Sequence, residues 1–328
     1  MTYGSSARRC ASRRTVLQGI AGFAATTLLA ACGGRSASDN ASAISGATSF
    51  ATVAPGKQVA VAATTTQIQD FVKNIGGDRV AVAGVLKPNV DPHDYEPTVD
   101  DANAIARADL IVVHGAGLDA WMDKTVKTGN THAPVVTATD GIALLKGDAN
   151  EPEGDPHVWF DPTLVQMMVT NIATALAKVD PANAGTYQAN AKAYGDQLTQ
   201  LDGQLKGLFN QVPKEQRKLV TNHDAFHYLA RRYDLTVVGA VIPSLSDTAE
   251  PSAKQVNDLI DTIKKEQVKA IFAETSANPK VAQQIAKETG IAIIDTLYGD
   301  TLGPPGSDAD TYLKMMVYDA TTIVNALK

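Results

Sequence analysis

The chain has 328 residues, 44% apolar and 20% charged, enough length and apolar content for two domains with substantial cores. Its 35 acidic residues outnumber 29 basic ones, for a formal net charge of −6 and a pI of about 5.5. That balance leaves no electrostatic footprint for nucleic acid or other polyanions.

Residues 1–31 read as an export signal. Arg8, Arg9, Arg13 and Arg14 precede an apolar run from Val16 to Ala31 that is too short and alanine-rich for a membrane span. Ser12-Arg13-Arg14-Thr15-Val16-Leu17 resembles a twin-arginine signal, and Leu29-Ala30-Ala31-Cys32 a bacterial lipobox, in which cleavage leaves Cys32 as a lipidated N-terminus. Removing residues 1–31 takes away four arginines and no acid, so the net charge moves from −6 to −10. Cys10 leaves too, and Cys32 becomes the one remaining cysteine. An internal disulfide is thereby excluded, and any metal site must use nitrogen and oxygen ligands.

Residues 32–56 are rich in Gly, Ser, Ala and Thr and predict a flexible tether. Beyond them, short β-rich runs alternate with longer amphipathic ones, the pattern of an α/β fold. In residues 57–179, strands are expected at Val59–Ala63, Arg79–Ala83, Leu110–Val113 and Val135–Thr137, with helices at Ile68–Ile75 and Thr98–Ala108. Asp161-Pro162 and Asp180-Pro181 each read as a helix N-cap followed by proline at the first helical position. Tyr187, Ala191, Tyr194, Leu198, Leu201, Leu205 and Leu208 then form one apolar stripe, predicting a single long helix within residues 180–212. From residue 213 to 328 the alternation resumes. Strands are expected at Lys218–Thr221, Leu235–Val241, Val268–Ala273 and Ile291–Ile294, and helices at Ala225–Tyr233, Ala253–Lys265, Pro279–Thr289 and Thr311–Leu327. The plan is an α/β lobe, a long helix and a second α/β lobe.

Asp-Pro-His ahead of an aromatic occurs twice, as Asp91-Pro92-His93-Asp94-Tyr95 and Asp155-Pro156-His157-Val158-Trp159. Proline fixes its own φ and biases the preceding Asp towards extended backbone, so each His leaves the turn in a preset direction, as a metal ligand requires. Asp91, Glu96, Asp155 and Asp161 are candidates to orient these imidazoles. His223 and His227 are four apart in His223-Asp224-Ala225-Phe226-His227, which allows two readings. Either His223 alone reaches a metal, or both histidines bind zinc on one helix face with Asp224 as general base. Carboxylates that follow second-lobe strands are Glu274, Asp295 and Asp300, and either of the last two suits a ligand.

Imidazole excludes a Ca²⁺ or Mg²⁺ site and leaves zinc, manganese, iron or nickel. Three imidazoles and one carboxylate fill a tetrahedral zinc shell without an open position for water, which suits holding a metal rather than catalysis with it. His114 and His132 lack a partner pattern, Trp121 and Trp159 read as packing aromatics, and the acidic stretch Gly147–Asp155 reads as a solvated loop.

Taken in order, these motifs resemble the TroA-like (cluster A-I) metal-binding lipoproteins of bacterial ABC transporters. The resemblance runs from Val59 to Leu327. It includes Asn74-Ile75-Gly76-Gly77-Asp78, Gly115-Ala116-Gly117-Leu118, Glu250-Pro251-Ser252 and Tyr298-Gly299-Asp300-Thr301-Leu302-Gly303 beside the two Asp-Pro-His motifs and His223-Asp224-Ala225-Phe226. It implies two α/β lobes joined by one rigid helix, with the metal at the interlobe cleft. The family's ligand motifs fall on His93, His157, His223 and Asp300, and Glu274 lies where it could support them. It further implies a monomer anchored to the outer face of the membrane, which delivers Zn²⁺, or alternatively Mn²⁺, to a membrane permease. His223 leans towards zinc, because many manganese members place Glu there. The long His-rich loop of the zinc-uptake branch is missing before Asp155. Two other readings compete with transport: a zinc peptidase using His223, Asp224 and His227, and an adhesin-like surface lipoprotein.

Overall fold

The computed structural model describes residues 50–128, 131–246 and 249–328. The export signal, Cys32 and the tether up to residue 49 lie outside the described residues. The end of the tether departs from expectation. Phe50 and Val53 pack against the core, and the Val53 N–H donates to the Val179 carbonyl at 2.8 Å. Lys178 Nζ sits 5.0 Å above the Phe50 ring. Two apolar side chains and one backbone bond dock a stretch whose composition is otherwise that of a linker.

The first lobe contains β1 (Val59–Ala63), α1 (Thr66–Gly76), β2 (Val80–Gly84), α2 (Val99–Ala106), β3 (Leu110–Val113), α3 (Trp121–Thr128) and β4 (Val135–Thr137). Its four strands are all parallel in the order β2-β1-β3-β4. Parallel strands need crossover helices, which cover both faces of the sheet and explain why β1 and β3 read as unbroken apolar runs. On one face Ala62, Ile105, Ile111, Val113 and Met122 form a small cluster, and the other face joins the main core. Helix α2 is shorter than expected: Thr98 is its N-cap, and Asp101 returns the capping bond to the Thr98 amide.

Two long helices follow, α4 (Pro162–Val179) and α5 (Ala184–Phe209). Asp161 caps α4 by accepting from the Thr163 N–H. Asp180 does not cap α5 in the same way. A single 3₁₀ turn intervenes at Pro181–Asn183, and the Asp180 carboxylate instead accepts from Tyr187 OH and Asn183 Nδ2, both at 2.7 Å. Helix α5 has 26 residues, about 39 Å at the α-helical rise. Tyr187, Tyr194, Leu198, Leu201 and Leu205 of the predicted stripe are buried along it.

The second lobe repeats the plan with β5 (Lys218–Thr221), α6 (His227–Tyr233), β6 (Thr236–Ala240), α7 (Ala253–Glu266), β7 (Ala270–Glu274), α8 (Lys280–Thr289), β8 (Ala292–Leu297) and α9 (Tyr312–Leu327). Its sheet is again parallel, in the order β6-β5-β7-β8. Its outer cluster contains Val220, Ile260, Ile271 and Ile285, while its inner face, α6 and α9 share the main core with α4, α5 and the first lobe. In each sheet the strand order therefore reverses between the lobe's first and third strands, the point where open α/β sheets receive ligands at the carboxyl ends of the strands. Among the described residues, no helix is long and apolar enough to cross a membrane.

Candidate metal centre

The two Asp-Pro-His turns are built alike. Asp91 Oδ1 accepts from the His93 amide at 2.8 Å, and Asp155 Oδ1 accepts from the His157 amide at 3.0 Å. Each proline carbonyl is then held by an aromatic N–H. Trp121 Nε1 donates to Pro92 O at 2.9 Å, and His114 Nε2 lies 2.9 Å from Pro156 O. Burial keeps His114 below its usual pKa and so neutral, and its carbonyl partner puts the proton on Nε2. Trp121 and His114, read from sequence as packing or structural residues, therefore clamp the turns that aim His93 and His157.

A carboxylate then holds the Nδ1 side of each imidazole. His93 Nδ1 is 2.8 Å from Glu151 Oε1, His157 Nδ1 is 2.8 Å from Asp155 Oδ1, and His223 Nδ1 is 2.9 Å from Glu274 Oε1. The third pair is close without hydrogen-bond alignment. His223 follows β5, and Glu274 is the last residue of β7. Gly299 brings the Asp300 loop against Glu274: a Cβ there would sit 1.4 Å from Glu274 Oε2, so this approach requires glycine. First-lobe groups hold the same loop, with Trp159 Nε1 donating to Gly299 O at 3.0 Å and Gln67 Nε2 to Asp300 O at 3.0 Å.

With every Nδ1 facing a carboxylate, the Nε2 atoms converge on Asp300. His157 Nε2 lies 3.5 Å from Asp300 Oδ1, while His223 Nε2 and His93 Nε2 lie 3.6 Å and 4.0 Å from Oδ2. His157 Nε2 and His223 Nε2 are 3.3 Å apart, and one ligand atom from each of the four residues falls within 4.8 Å of the others. A tetrahedral zinc shell has ligand–ligand edges of about 3.3 Å. The shortest separation already matches that edge, and His93, 4.0 Å from Asp300, has to move inward to complete it.

All four side chains are at most 1% exposed, and His93 Nε2 and both Asp300 oxygens have no hydrogen-bond partner. Buried polar atoms are seldom left in that state, and a cation at their centre would satisfy all three. Burial alone would raise the pKa of Asp300, but His223, His157 and His93 outweigh it and hold the carboxyl well below its usual range. Burial likewise opposes charge on His157, yet Asp155 and Asp300 raise its pKa to about 9. Asp155 is pulled down to about 2 by its bonds to His157 and His227 against the cost of burial. The cleft is strongly anionic once its histidines are neutral.

The remaining candidates lie elsewhere. Asp91 holds a backbone amide rather than an imidazole, and Glu96 is solvent-exposed. Asp161 caps α4 and lies 3.7 Å from both Arg231 and Arg232, so it supports no histidine. Asp295 is exposed on β8 and is not among the clustered residues. His227 opens α6 whereas His223 lies in the preceding loop, so the two do not share a helix face. Instead, His227 Nδ1 approaches Asp155 Oδ2 at 3.4 Å. The helical zinc-peptidase arrangement is therefore absent. Sequence reasoning missed Glu151, whose place in the acidic stretch suggested a solvated loop but which is 6% exposed. Its partner is 58 positions away, and no local pattern marks that pairing.

Two like α/β lobes closing an imidazole–carboxylate cluster between them define a metal-holding protein of the solute-binding class. The chain belongs to the family described as zinc-uptake complex component A, periplasmic, which matches residues 61–326. It is similar to the manganese ABC transporter substrate-binding lipoprotein PsaA of Streptococcus mitis, with 31% identity over 282 residues, 84% of this chain and 91% of the relative. It is also 34% identical to the iron-binding protein YfeA of Yersinia pestis over 269 residues, 81% of this chain and 86% of that one. Among solved structures, the periplasmic zinc binding protein TroA from Treponema pallidum superimposes with a TM-score of 0.77 at 32% identity, covering 82% of this chain and 99% of that one.

Proposed function

We propose that this chain captures a divalent transition metal outside the cytoplasm and hands it to the permease of an ABC transporter, with His93, His157, His223 and Asp300 as ligands. One observation carries the reading: three imidazole nitrogens and one buried carboxylate converge on a point, each imidazole backed by its own carboxylate. Carboxylates hydrogen-bonded at Nδ1 of His93 and His157 direct Nε2 towards the metal and make that nitrogen a stronger donor, and Glu274 stands beside Nδ1 of His223. Three imidazoles and Asp300 favour Zn²⁺ in a closed tetrahedral shell; Mn²⁺ is the alternative, with both Asp300 oxygens coordinating. With four protein ligands, no position remains for an activated water, so the chain holds its metal as cargo and is not an enzyme.

In this reading residues 1–31 are an export signal, Cys32 carries the lipid and the following residues tether a monomer to the outer face of the membrane. Residues 57–179 and 213–328 are the lobes, and 180–212 join them. Substituting His93 and Asp300 singly by alanine tests the assignment. Each variant is expected to lose at least about a hundredfold in zinc affinity, measured against a chelator. Unchanged affinity in both would remove the cluster as the metal site.

A further inference from the structure

The loop between β4 and His157 supplies Glu151 and Asp155, and it also reaches across the cleft. Its neck closes where the Asp155 N–H donates to Leu145 O at 3.0 Å, an isolated antiparallel bridge. The buried Tyr228 hydroxyl of α6 staples that neck, accepting from the Leu145 N–H and donating to Asp155 O, each at 2.9 Å. At the tip, Asp148 Oδ1 accepts from the Asn150 and Glu151 amides at 2.7 and 2.8 Å, which shapes the turn. The other oxygen, Oδ2, faces the second lobe, accepting from the Leu245 N–H at 2.8 Å and the Ser244 hydroxyl at 3.1 Å. Asn150 Nδ2 adds a bond to Ser244 Oγ at 2.8 Å. The Ser244 carbonyl in turn accepts from the Asp224 N–H at 2.9 Å, directly after His223.

We infer that Asp148 is a positioning residue that latches the two lobes and sets the rate at which the metal is released. This rests on the metal-capture reading above. The two oxygens of Asp148 divide the work. Oδ1 keeps the loop folded, so Glu151 stays on His93, whereas Oδ2 ties that loop to the segment abutting His223. The staple at Tyr228 lies in the core common to both lobes, but Asp148 is half-buried at the rim, where parting lobes let water replace its partners. Burial would raise the Asp148 pKa, but the amides of Leu245, Glu151 and Asn150 outweigh it and keep the carboxylate charged at neutral pH. Charge-assisted bonds of this kind are strong enough to hold a closed state and remain reversible at a wet edge.

Asp148→Asn retains an acceptor for the turn and removes the charge and one acceptor from the latch. In the full chain, zinc release into excess chelator is expected to be about tenfold faster, with association within about twofold of the parent. In the metal-free protein, hydrogen exchange of the 241–246 segment is expected to accelerate. Ser244→Ala should shift both readouts the same way by less, and the double variant should fall short of the product of the two. Unchanged exchange would overturn the latch, as would faster exchange with unchanged release. Slower association with unchanged release would make Asp148 merely structural and would also overturn it. If the parent chain binds no zinc, the capture reading fails on its own, and the exchange result still decides whether Asp148 holds the lobes together.

Discussion

Each cleft imidazole presents one nitrogen to a carboxylate and the other to its neighbours, so the carboxylates should matter nearly as much as the ligands. Glu151→Gln, which keeps the shape and removes the charge, is expected to weaken zinc binding by about tenfold to a hundredfold in competition titrations. Protons compete for the same nitrogens. The folded pKa of His157 is raised from 6.5 to about 9, so in the metal-free protein its contribution to stability is complete below pH 6.5 and is lost as pH rises through about 9. That of Asp155 is lowered from 3.8 to about 2, so its contribution is present above pH 3.8 and is lost as pH falls through about 2. At neutral pH a metal bound by His157, as proposed, has to displace a proton from it. Zinc affinity should rise with pH up to about 9, with proton release visible as a buffer-dependent calorimetric enthalpy. An affinity flat from pH 6 to 9 would contradict this. Residues on the two Asp-Pro-His motifs were legible in the sequence because proline and aspartate act on neighbouring backbone. Glu151 was not, because it meets His93 only after the chain folds over 58 positions. Of the two roles the sequence allows Asp161, the helix cap marked by its position before Pro162 is the one it performs, and it orients no imidazole.

Among the elements, α5 was readable because its buried face repeats at the helical period over seven positions, a signal that tertiary contacts reinforce. Leu198 is fully buried at its middle, and Leu198→Ala should cost about 2–5 kcal/mol in denaturant unfolding. The start of α6 was less legible. Residues 222–226 make a turn whose Asp224 amide donates to Ser244 O and whose Asn222 carbonyl accepts from the Ile242 amide, partners about twenty residues away in the chain. The turn releases His223 from the helix and lets it face the cleft. The Asp300 loop depends on Gly299 in a way that can be tested. Gly299→Ala must displace Glu274, so it should destabilise the fold by about 1–3 kcal/mol and loosen zinc binding through His223. Full affinity in that variant would mean that Glu274 plays no part in holding His223.

For the whole molecule, the sequence order of α/β run, long helix and α/β run made the two-lobe plan legible. The identical strand orders of the two sheets were not, since parallel pairings join strands that are distant in the chain. With the four proposed ligands drawn from both lobes, a metal would bridge the cleft, and a ligand that binds only the folded chain stabilises it by mass action. Zinc in excess should raise the melting temperature by several degrees, and a chelator should reverse the shift.

Whether one metal is held by residues of both lobes is decided by a competition titration of the metal-free chain with Zn²⁺ and a chelator, run beside His157→Ala from the first lobe and His223→Ala from the second. One tight equivalent is expected in the parent, with a loss of at least about a hundredfold in each variant. Tight binding that survives in either variant would contradict a site shared between the lobes.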